Sequence, residues 1–361
     1  MTYLFSLLIM NGLIVFILIL LILIKRYVAV YDDYSVTING DKEIVVPGGQ
    51  TIVASLTQNK IFLPSACGGK GTCGLCQVKV VEGLTEPLSI EEAVLPYKEI
   101  VAGYRLGCQT KVRGDLKIEI PEEYLSVKEY KGSISKIETL THDINRFDID
   151  LIEPREIEFK SGQYVVVEPI PGETRAYSIA SIRKNKDKIS LEVKKIPNGI
   201  CSTYMHALNE KDELSFYGPY GDFYLRKNDY TVVCVAGGVG LAPMKSIIDE
   251  VIHDYPGRKV ELYYGARTID DMYDYERYIS LTGEHENFKF YPALSEVDEV
   301  LHHPSGFVFD TGFINNEIAK RIEDGNACEA YLCGPPIMIN FSIQTLMDKG
   351  VPKDRIFYDK F

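Results

Sequence analysis

The chain has 361 residues, 46% hydrophobic and 25% charged, which suits two or three globular domains rather than one. A formal net charge of −12 argues against a nucleic-acid partner, because no excess of cations is present to displace counterions from a phosphate backbone. Eight cysteines, four clustered and four single, argue against a disulfide framework and for metal binding in a reducing compartment.

Tyr3 to Ile24 carries no charge and is dominated by Leu and Ile. Its 22 residues, at about 1.5 Å each, reach about 33 Å, enough to cross a hydrocarbon core of about 30 Å. A cleaved signal peptide would place basic residues before the run and a small-residue site after it. Here Lys25 and Arg26 follow the run, and Tyr27-Val28-Ala29-Val30 offers no such site. The expectation is a single transmembrane helix at 3–24 in the cell (inner) membrane. Its amino terminus faces outward and the soluble domains lie in the cytoplasm.

From 34 to 121 short strands and turns follow: Tyr34 to Gly40, Lys42 to Val46, Gln77 to Val81 and Leu116 to Ile120, with a short helix over Gly49–Leu56. The arrangement predicts a β-grasp, ferredoxin-like domain. From 129 to 225 strand patterns recur at 130–137, 146–151, 163–168, 189–194 and 213–217. Turns such as Ser161-Gly162 and Pro197-Asn198-Gly199 separate them, which predicts an antiparallel β-barrel. From 228 to 361 the rhythm becomes strand, glycine turn, helix. Strands are predicted at 231–236, 259–264, 307–310 and 330–333, with a helix over 243–253, as in a parallel sheet covered by helices. The expected fold class is multidomain, α+β and α/β.

Cys67-Gly-Gly-Lys-Gly-Thr-Cys73-Gly-Leu-Cys76, with Cys108 further on, presents four thiols, three on one loop. Four thiolates in this pattern suit a [2Fe–2S] cluster. Glycines at 68, 69, 71 and 74 let the backbone wrap the sulfurs. A four-cysteine zinc site is the competing reading, although it usually presents two paired knuckles. The string CGGxGxCGxC resembles two families: the F subunit of Na⁺-translocating NADH:quinone oxidoreductases, and the ferredoxin-like domain of reductive activators of corrinoid proteins.

Arg175-Ala176-Tyr177-Ser178 resembles the RxYS flavin motif of the ferredoxin–NADP⁺ reductase superfamily. The resemblance implies that Arg175 pairs with a flavin phosphate, Tyr177 packs on the isoalloxazine and Ser178 lies near its N5. A guanidinium fork suits a phosphate and an aromatic ring suits a flavin face. Gly199-Ile-Cys201-Ser202-Thr203 matches the second flavin segment of that superfamily, where a helix start receives the pyrophosphate. Gly218-Pro219-Tyr220-Gly221 matches its closing barrel turn.

Gly237-Gly238-Val-Gly240-Leu-Ala-Pro243-Met244 follows an apolar strand and opens a helix, a place where a nucleotide phosphate approaches the backbone. The string, the Tyr264-Gly265-Ala266-Arg267 segment and Cys333-Gly334-Pro335-Pro336-Ile-Met338 all resemble the nicotinamide domain of the same superfamily. By that resemblance Cys333 lies beside the nicotinamide–flavin contact and helps to position hydride transfer; read alone, it is a buried structural thiol. Asp270 and Asp271 would repel a 2′-phosphate and favour NADH, whereas Arg267 argues the other way. Phe361, the terminal aromatic, is the candidate to lie over the flavin, with a frayed apolar tail as the plain alternative.

Anchor, cluster, barrel and nucleotide sheet, in this order across essentially the whole chain, resemble the F subunit of Na⁺-translocating NADH:quinone oxidoreductases. Corrinoid activators lack the flavin and nicotinamide strings, and oxygenase reductases use another cysteine spacing. One departure is that Ile179 to Asn198 is short for this family. The resemblance implies hydride transfer from NADH to FAD, single-electron transfer to the cluster, and onward transfer to membrane-embedded electron-transfer subunits. Quinone is reached indirectly. The sequence holds no sodium- or quinone-binding constellation, so any ion pumping is expected in partner subunits. The alternatives are an NADH-dependent reductase for an oxygenase or corrinoid protein, or a non-enzymatic electron carrier.

Overall fold

The computed structural model describes residues 2–27, 32–83, 86–170, 172–297 and 299–360. The chain divides into two compact units, one of Met1–Leu63 and Lys70–Leu125, the other of Pro64–Gly69 and Ser126–Phe361.

The first unit opens with helix α1 (Thr2–Tyr27), 26 residues rich in Leu and Ile. Its apolar side chains, Phe5, Leu13, Phe16, Ile17 and Ile22 among them, are exposed in succession along the helix rather than on one stripe. Among the described residues no helix is long and apolar enough to cross a membrane. The side chains at 1–4, 8, 21 and 23–31 lie outside the described set, and the predicted span at 3–24 overlaps them.

Strands β1 (Asp33–Ile38) and β2 (Lys42–Pro47) form a hairpin. Asn39 and Gly40 turn it by taking left-handed conformations, with φ of 51° and 82°. Helix α2 (Ile52–Gln58) begins where the Thr51 hydroxyl accepts from Ala54 N at 3.2 Å. The predicted start at Gly49 fails because Gly48 and Gly49 are used in loop hydrogen bonds to Asp32 and Val112. Strand β3 (Gln77–Glu82), helices α3 (Ser89–Val94) and α4 (Tyr97–Val101), and strands β4 (Tyr104–Leu106) and β5 (Leu116–Glu119) complete the unit. The sheet order is β2-β1-β5-β3-β4, with β1 and β5 parallel and the other pairs antiparallel. Ile38, Ile52, Leu56, Val78 and Ile118 fill its core.

In the second unit, β6 (Lys128–Thr139), β7 (Ile144–Glu153), β8 (Tyr164–Ile170), β9 (Glu173–Ser178), β10 (Lys188–Lys194) and β11 (Glu213–Tyr220) pair in the order β10-β7-β6-β11-β8-β9. All pairs are antiparallel, and a bridge between Ile179 and Leu191 joins the two edges into a barrel. Phe147, Val165, Leu191 and Phe216 fill it. Helix α5 (Ile200–Ala207) follows β10.

Beyond it, β12 (Thr231–Gly237), α6 (Leu241–Asp254), β13 (Val260–Ala266), α7 (Tyr275–Glu284), β14 (Phe288–Leu294), β15 (Leu301–His302), β16 (Val308–Thr311), α8 (Ile314–Arg321), β17 (Cys328–Gly334), α9 (Pro336–Asp348) and β18 (Ile356–Lys360) alternate along the chain. The sheet order is β15-β16-β14-β13-β12-β17-β18, parallel from β16 to β18. Strand order reverses at β12, and ligands of such sheets bind at the carboxyl ends beside the reversal.

A buried ionic group joins barrel to sheet. Lys245 of α6 lies 2.7 Å from Glu192 of β10 and also pairs with Asp274, the residue before α7. Arg146 of β7 pairs with Glu192 at 3.1 Å, with Asp274 and with Glu138. The Tyr273 hydroxyl donates to Glu192 at 2.6 Å.

Candidate functional site

The cysteine loop follows α2 and an irregular stretch through Leu63, and leads into β3 at Gln77. Gly68, Gly69, Gly71 and Gly74 all have positive φ, between 65° and 73°, which explains why glycine alternates with cysteine there. None of the four cysteines is joined in a disulfide, and Cys76 and Cys108 are buried while Cys67 and Cys73 are half-buried. The Cys76 thiol is pushed well above its ordinary pKa, first by its hydrogen bond with Cys108 and then by burial, with Cys73 also acting on it. Gln109 Nε2 donates to Cys108 Sγ at 3.4 Å. Cys67 stands on the segment Pro64–Gly69, which belongs to the second unit, where the Thr174 hydroxyl donates to the Ser65 carbonyl. Among the described residues no three His, Cys, Asp or Glu side chains gather around a single ion position. A two-iron cluster divides its four thiolates between two irons, so its ligands need not converge on one point. Three thiols on a left-handed glycine loop, one of them in hydrogen-bonding contact with the fourth at Cys108, fit such a cluster.

In the barrel, Arg175, Ala176, Tyr177 and Ser178 form the last four positions of β9, paired with β8 from Val167 to Tyr164. Arg175 donates to the Thr174 carbonyl at 2.6 Å, and among the described residues no carboxylate pairs with it. That leaves its charge available to an anion. Tyr177 packs against the barrel core, and burial pushes its hydroxyl pKa up. Gly199 is the N-cap of α5, and no side chain caps that helix. A Cβ on Gly199 would fall 2.6 Å from Ser202 Oγ and 3.1 Å from the Ile196 carbonyl oxygen, so a larger residue would crowd the start of α5. Cys201 is buried and its thiol donates to the Glu173 carbonyl at 3.3 Å, tying α5 to β9, while Thr203 is exposed. An arginine with no carboxylate beside it, a half-buried tyrosine and an uncapped helix start fit a flavin with its pyrophosphate.

At the carboxyl ends of the sheet lies a cavity of about 690 Å³. Gly237 and Gly265 face each other across β12 and β13 and line it. Gly238, with φ of 55° and open space around its Cβ direction, and Gly240 lead into α6, which also lacks a side-chain cap. Pro243 lies in the first turn of that helix. The sheet side of the wall includes Arg267, Pro335 and Met338, and the barrel side includes Asp143, Ile144 and Lys194. Arg267 Nε lies 3.0 Å from Asp271 Oδ2, so the cation at this mouth is already matched by a carboxylate. Cys333 is 2% exposed and is not part of the cavity wall; burial pushes its thiol pKa up. Gly334 follows at φ of 149°, packed against Gly237 and Met338. Phe361 lies outside the described residues. Asp143, Lys194, Phe313 and Phe341 line the cavity without having stood out in the sequence, since none belongs to a string.

Three domain families match in succession: the 2Fe-2S iron-sulfur cluster binding domain over residues 36–113, the oxidoreductase FAD-binding domain over 131–224 and the oxidoreductase NAD-binding domain over 234–344. The chain is therefore an oxidoreductase of ferredoxin-reductase-like build, with a [2Fe–2S] cluster, FAD and NADH as its cofactors. Among solved structures it is similar to the Amycolatopsis cytochrome P450 reductase GcoB, with a TM-score of 0.73, 26% identity, and coverage of 91% of this chain and 98% of that one. A ferredoxin reductase in carbazole 1,9a-dioxygenase gives 0.69 and 25%, with coverage of 91% and 98%. Among curated proteins, the F subunit of the Na⁺-translocating NADH-quinone reductase of Marinomonas is 32% identical over 376 residues, covering 91% of each chain. Those of Pseudomonas aeruginosa and Neisseria meningitidis are 31% and 32% identical and cover 95% and 98% of each chain. The chain belongs to this family, the F subunits of Na⁺-translocating NADH-quinone reductases. These alignments run to 376–398 positions, more than the 361 residues here, so the relatives carry residues that this chain lacks.

Proposed function

We propose that this chain oxidises NADH at the membrane and passes electrons through its cluster to membrane-embedded partner subunits, with quinone reached only through them. The observation that carries the reading is the cavity whose one wall is flavin barrel and whose other is nucleotide sheet, on a chain that also bears the four-cysteine set. When bound, FAD takes the hydride as an electron pair and releases electrons singly. The residues of the chain supply the rest. Arg175 and the start of α5, at Gly199, Ser202 and Thr203, would hold the flavin phosphates, while Tyr177 and Ser178 would face its ring. Gly237, Gly238, Gly240 and Pro243 let the NADH pyrophosphate approach the start of α6. Arg267, held by Asp271, would face the ribose. Cys333, behind the cavity wall, would with Gly334 and Pro335 back the nicotinamide, and the terminal Phe361, outside the described residues, keeps the flavin-facing role that the family resemblance implies. Cys67, Cys73, Cys76 and Cys108 would ligate the irons.

The test is to load the full chain and add NADH without oxygen. Flavin bleaching followed by a low-temperature S = 1/2 signal is expected, and Cys108→Ser should keep the bleaching and lose the signal. A wild-type chain that bleaches with no signal overturns the cluster assignment, and one that never bleaches overturns the reading.

The anchor is part of the same proposal. A helix with apolar side chains exposed in succession has no aqueous reason to stay single, and 26 residues of it reach about 39 Å, longer than a hydrocarbon core of about 30 Å. Replacing Leu13 and Phe16 by Lys is expected to move most of the chain from the membrane fraction to the supernatant on cell fractionation. Unchanged membrane retention would show that something other than α1 holds it there.

A further inference from the structure

Helix α3 belongs to no recognised string, yet it grips both halves of the cysteine set. On one side it lies against the glycine loop. A Cβ built on Gly71 would stand 2.9 Å from Ile90 Cδ1, and one on Gly74 3.2 Å from Val94 Cγ1. Between those two residues, Glu91 is 1% exposed and uses both carboxylate oxygens. Oε1 accepts from the Leu106 N–H at 2.7 Å and from the Thr110 hydroxyl at 3.1 Å. Oε2 accepts from the Leu88 N–H at 2.8 Å. Leu106 and Thr110 stand two residues to either side of Cys108, so one carboxylate holds both ends of the turn that carries the fourth thiol. Cys76, Cys108, Leu106 and Val94 pack in one apolar cluster.

Burying a carboxylate costs free energy unless its hydrogen bonds are made, and here all three partners are neutral donors. Capping α3 needs only one of them, the Leu88 N–H. The other two act on the Cys108 turn. We propose that Glu91 is a positioning residue for the iron–sulfur cluster, which clasps the Cys108 turn and lays a fixed negative charge beside the thiolates. The clasp holds the fourth ligand where the loop can meet it. The charge, poorly screened in an apolar surrounding, opposes arrival of an electron and so lowers the reduction potential. The proposal rests on the assignment of the cluster to Cys67, Cys73, Cys76 and Cys108.

The experiment uses the full cluster-loaded chain as wild type, Glu91→Gln and Glu91→Leu. Three quantities are read: the midpoint potential by EPR titration, iron and sulfide per chain, and amide exchange across residues 106–110. E91Q keeps the shape and removes the charge. It should retain its iron and raise the potential by about 59 mV, a tenfold change in the reduced-to-oxidised ratio for one electron. E91L removes the clasp as well and should lose at least half of its iron and speed exchange of the Leu106 amide at least tenfold. If E91L does not accumulate, Thr110→Val keeps the charge and loosens the clasp: faster exchange at an unchanged potential is then expected. An unmoved potential in E91Q, or unmoved exchange in E91L or T110V, overturns the proposal while leaving the cluster assignment intact. A wild-type chain with no cluster signal overturns the assignment itself.

Discussion

Gly240→Ala is expected to abolish NADH oxidation and to lower the unfolding temperature of the reductase part by about 6–12 °C. The cause is packing. Gly240 has an ordinary φ of −63°, but a Cβ there would stand 2.1 Å from the Cys333 carbonyl oxygen and 2.8 Å from Gly334 N. Both are backbone atoms of the neighbouring strand end, which β12 and β17 hold in register at Ala236 and Cys333. Neither can step aside without disrupting the parallel ladder. Overpacking of this kind costs about 3 kcal/mol, at the upper end of the usual range, and each kcal/mol moves the midpoint of a domain of this size by about 2–4 °C. Gly237→Ala is a milder case. Its Cβ would meet Met338 Sδ at 2.6 Å, a side-chain end that can swing. Gly257→Ala, with nothing within 4 Å, serves as the control. Differential scanning calorimetry and anaerobic flavin reduction would rank the three. A G240A protein that behaves like G257A would mean that the two glycine strings do not need this close approach.

Lys245→Met should cost about 2 kcal/mol at neutral pH, because it leaves Glu192 and Asp274 to share the one remaining cation that touches both, Arg146. Glu192 is fully buried and Asp274 half-buried, and removing one partner of a buried pair is costlier than losing an exposed one. Burial raises the Asp274 pKa, but Lys245 and Arg146 together outweigh it and hold that carboxyl below its ordinary value. A depressed carboxyl adds stability above about pH 4 and loses it as pH falls through the folded-state value. The wild type should therefore lose stability on acidification below about pH 4, and K245M should lose less over that window. Urea unfolding at pH 7 and pH 3 measures both. Equal losses in the two proteins would detach Asp274 from Lys245. In a cycle with Glu192→Gln, the double variant should be less damaged than the sum of the singles.

Much of this arrangement was legible in the sequence because it is written in local strings. The glycine-separated cysteines, the RAYS strand and the glycine turn after β12 each need particular residues at adjacent positions, so a short window reveals them. Strand ends were read a residue or two short, as at 146–151 against Ile144–Glu153, since pairing extends past the apolar alternation. Strand β14 went unread because Pro292 interrupts it. The structure tolerates that proline because β16 pairs with β14 only at Ala293 and Leu294, beyond the missing N–H. Helix α3 is six residues long, too short for a periodic signal, although Glu91 caps its start through the Leu88 N–H. The cavity mouth and the ionic junction were not readable, because their members lie far apart in the chain. Lys245 within Ala-Pro-Met-Lys-Ser-Ile-Ile and Glu192 within Ser-Leu-Glu-Val were the available hints, each a charge inside an apolar run.

That distance along the chain has a kinetic consequence. The hydrogen bond from Arg146 to Asp274 spans 128 residues, and Lys245 reaches back 53 to Glu192. The junction links two separately cored modules, so it is expected to form after barrel and sheet have each taken shape. Interactions made after the transition state slow unfolding and leave the rate of folding nearly unchanged. The junction thus acts as a brake on opening: the lifetime of the native reductase, more than its rate of formation, depends on four charges that meet last.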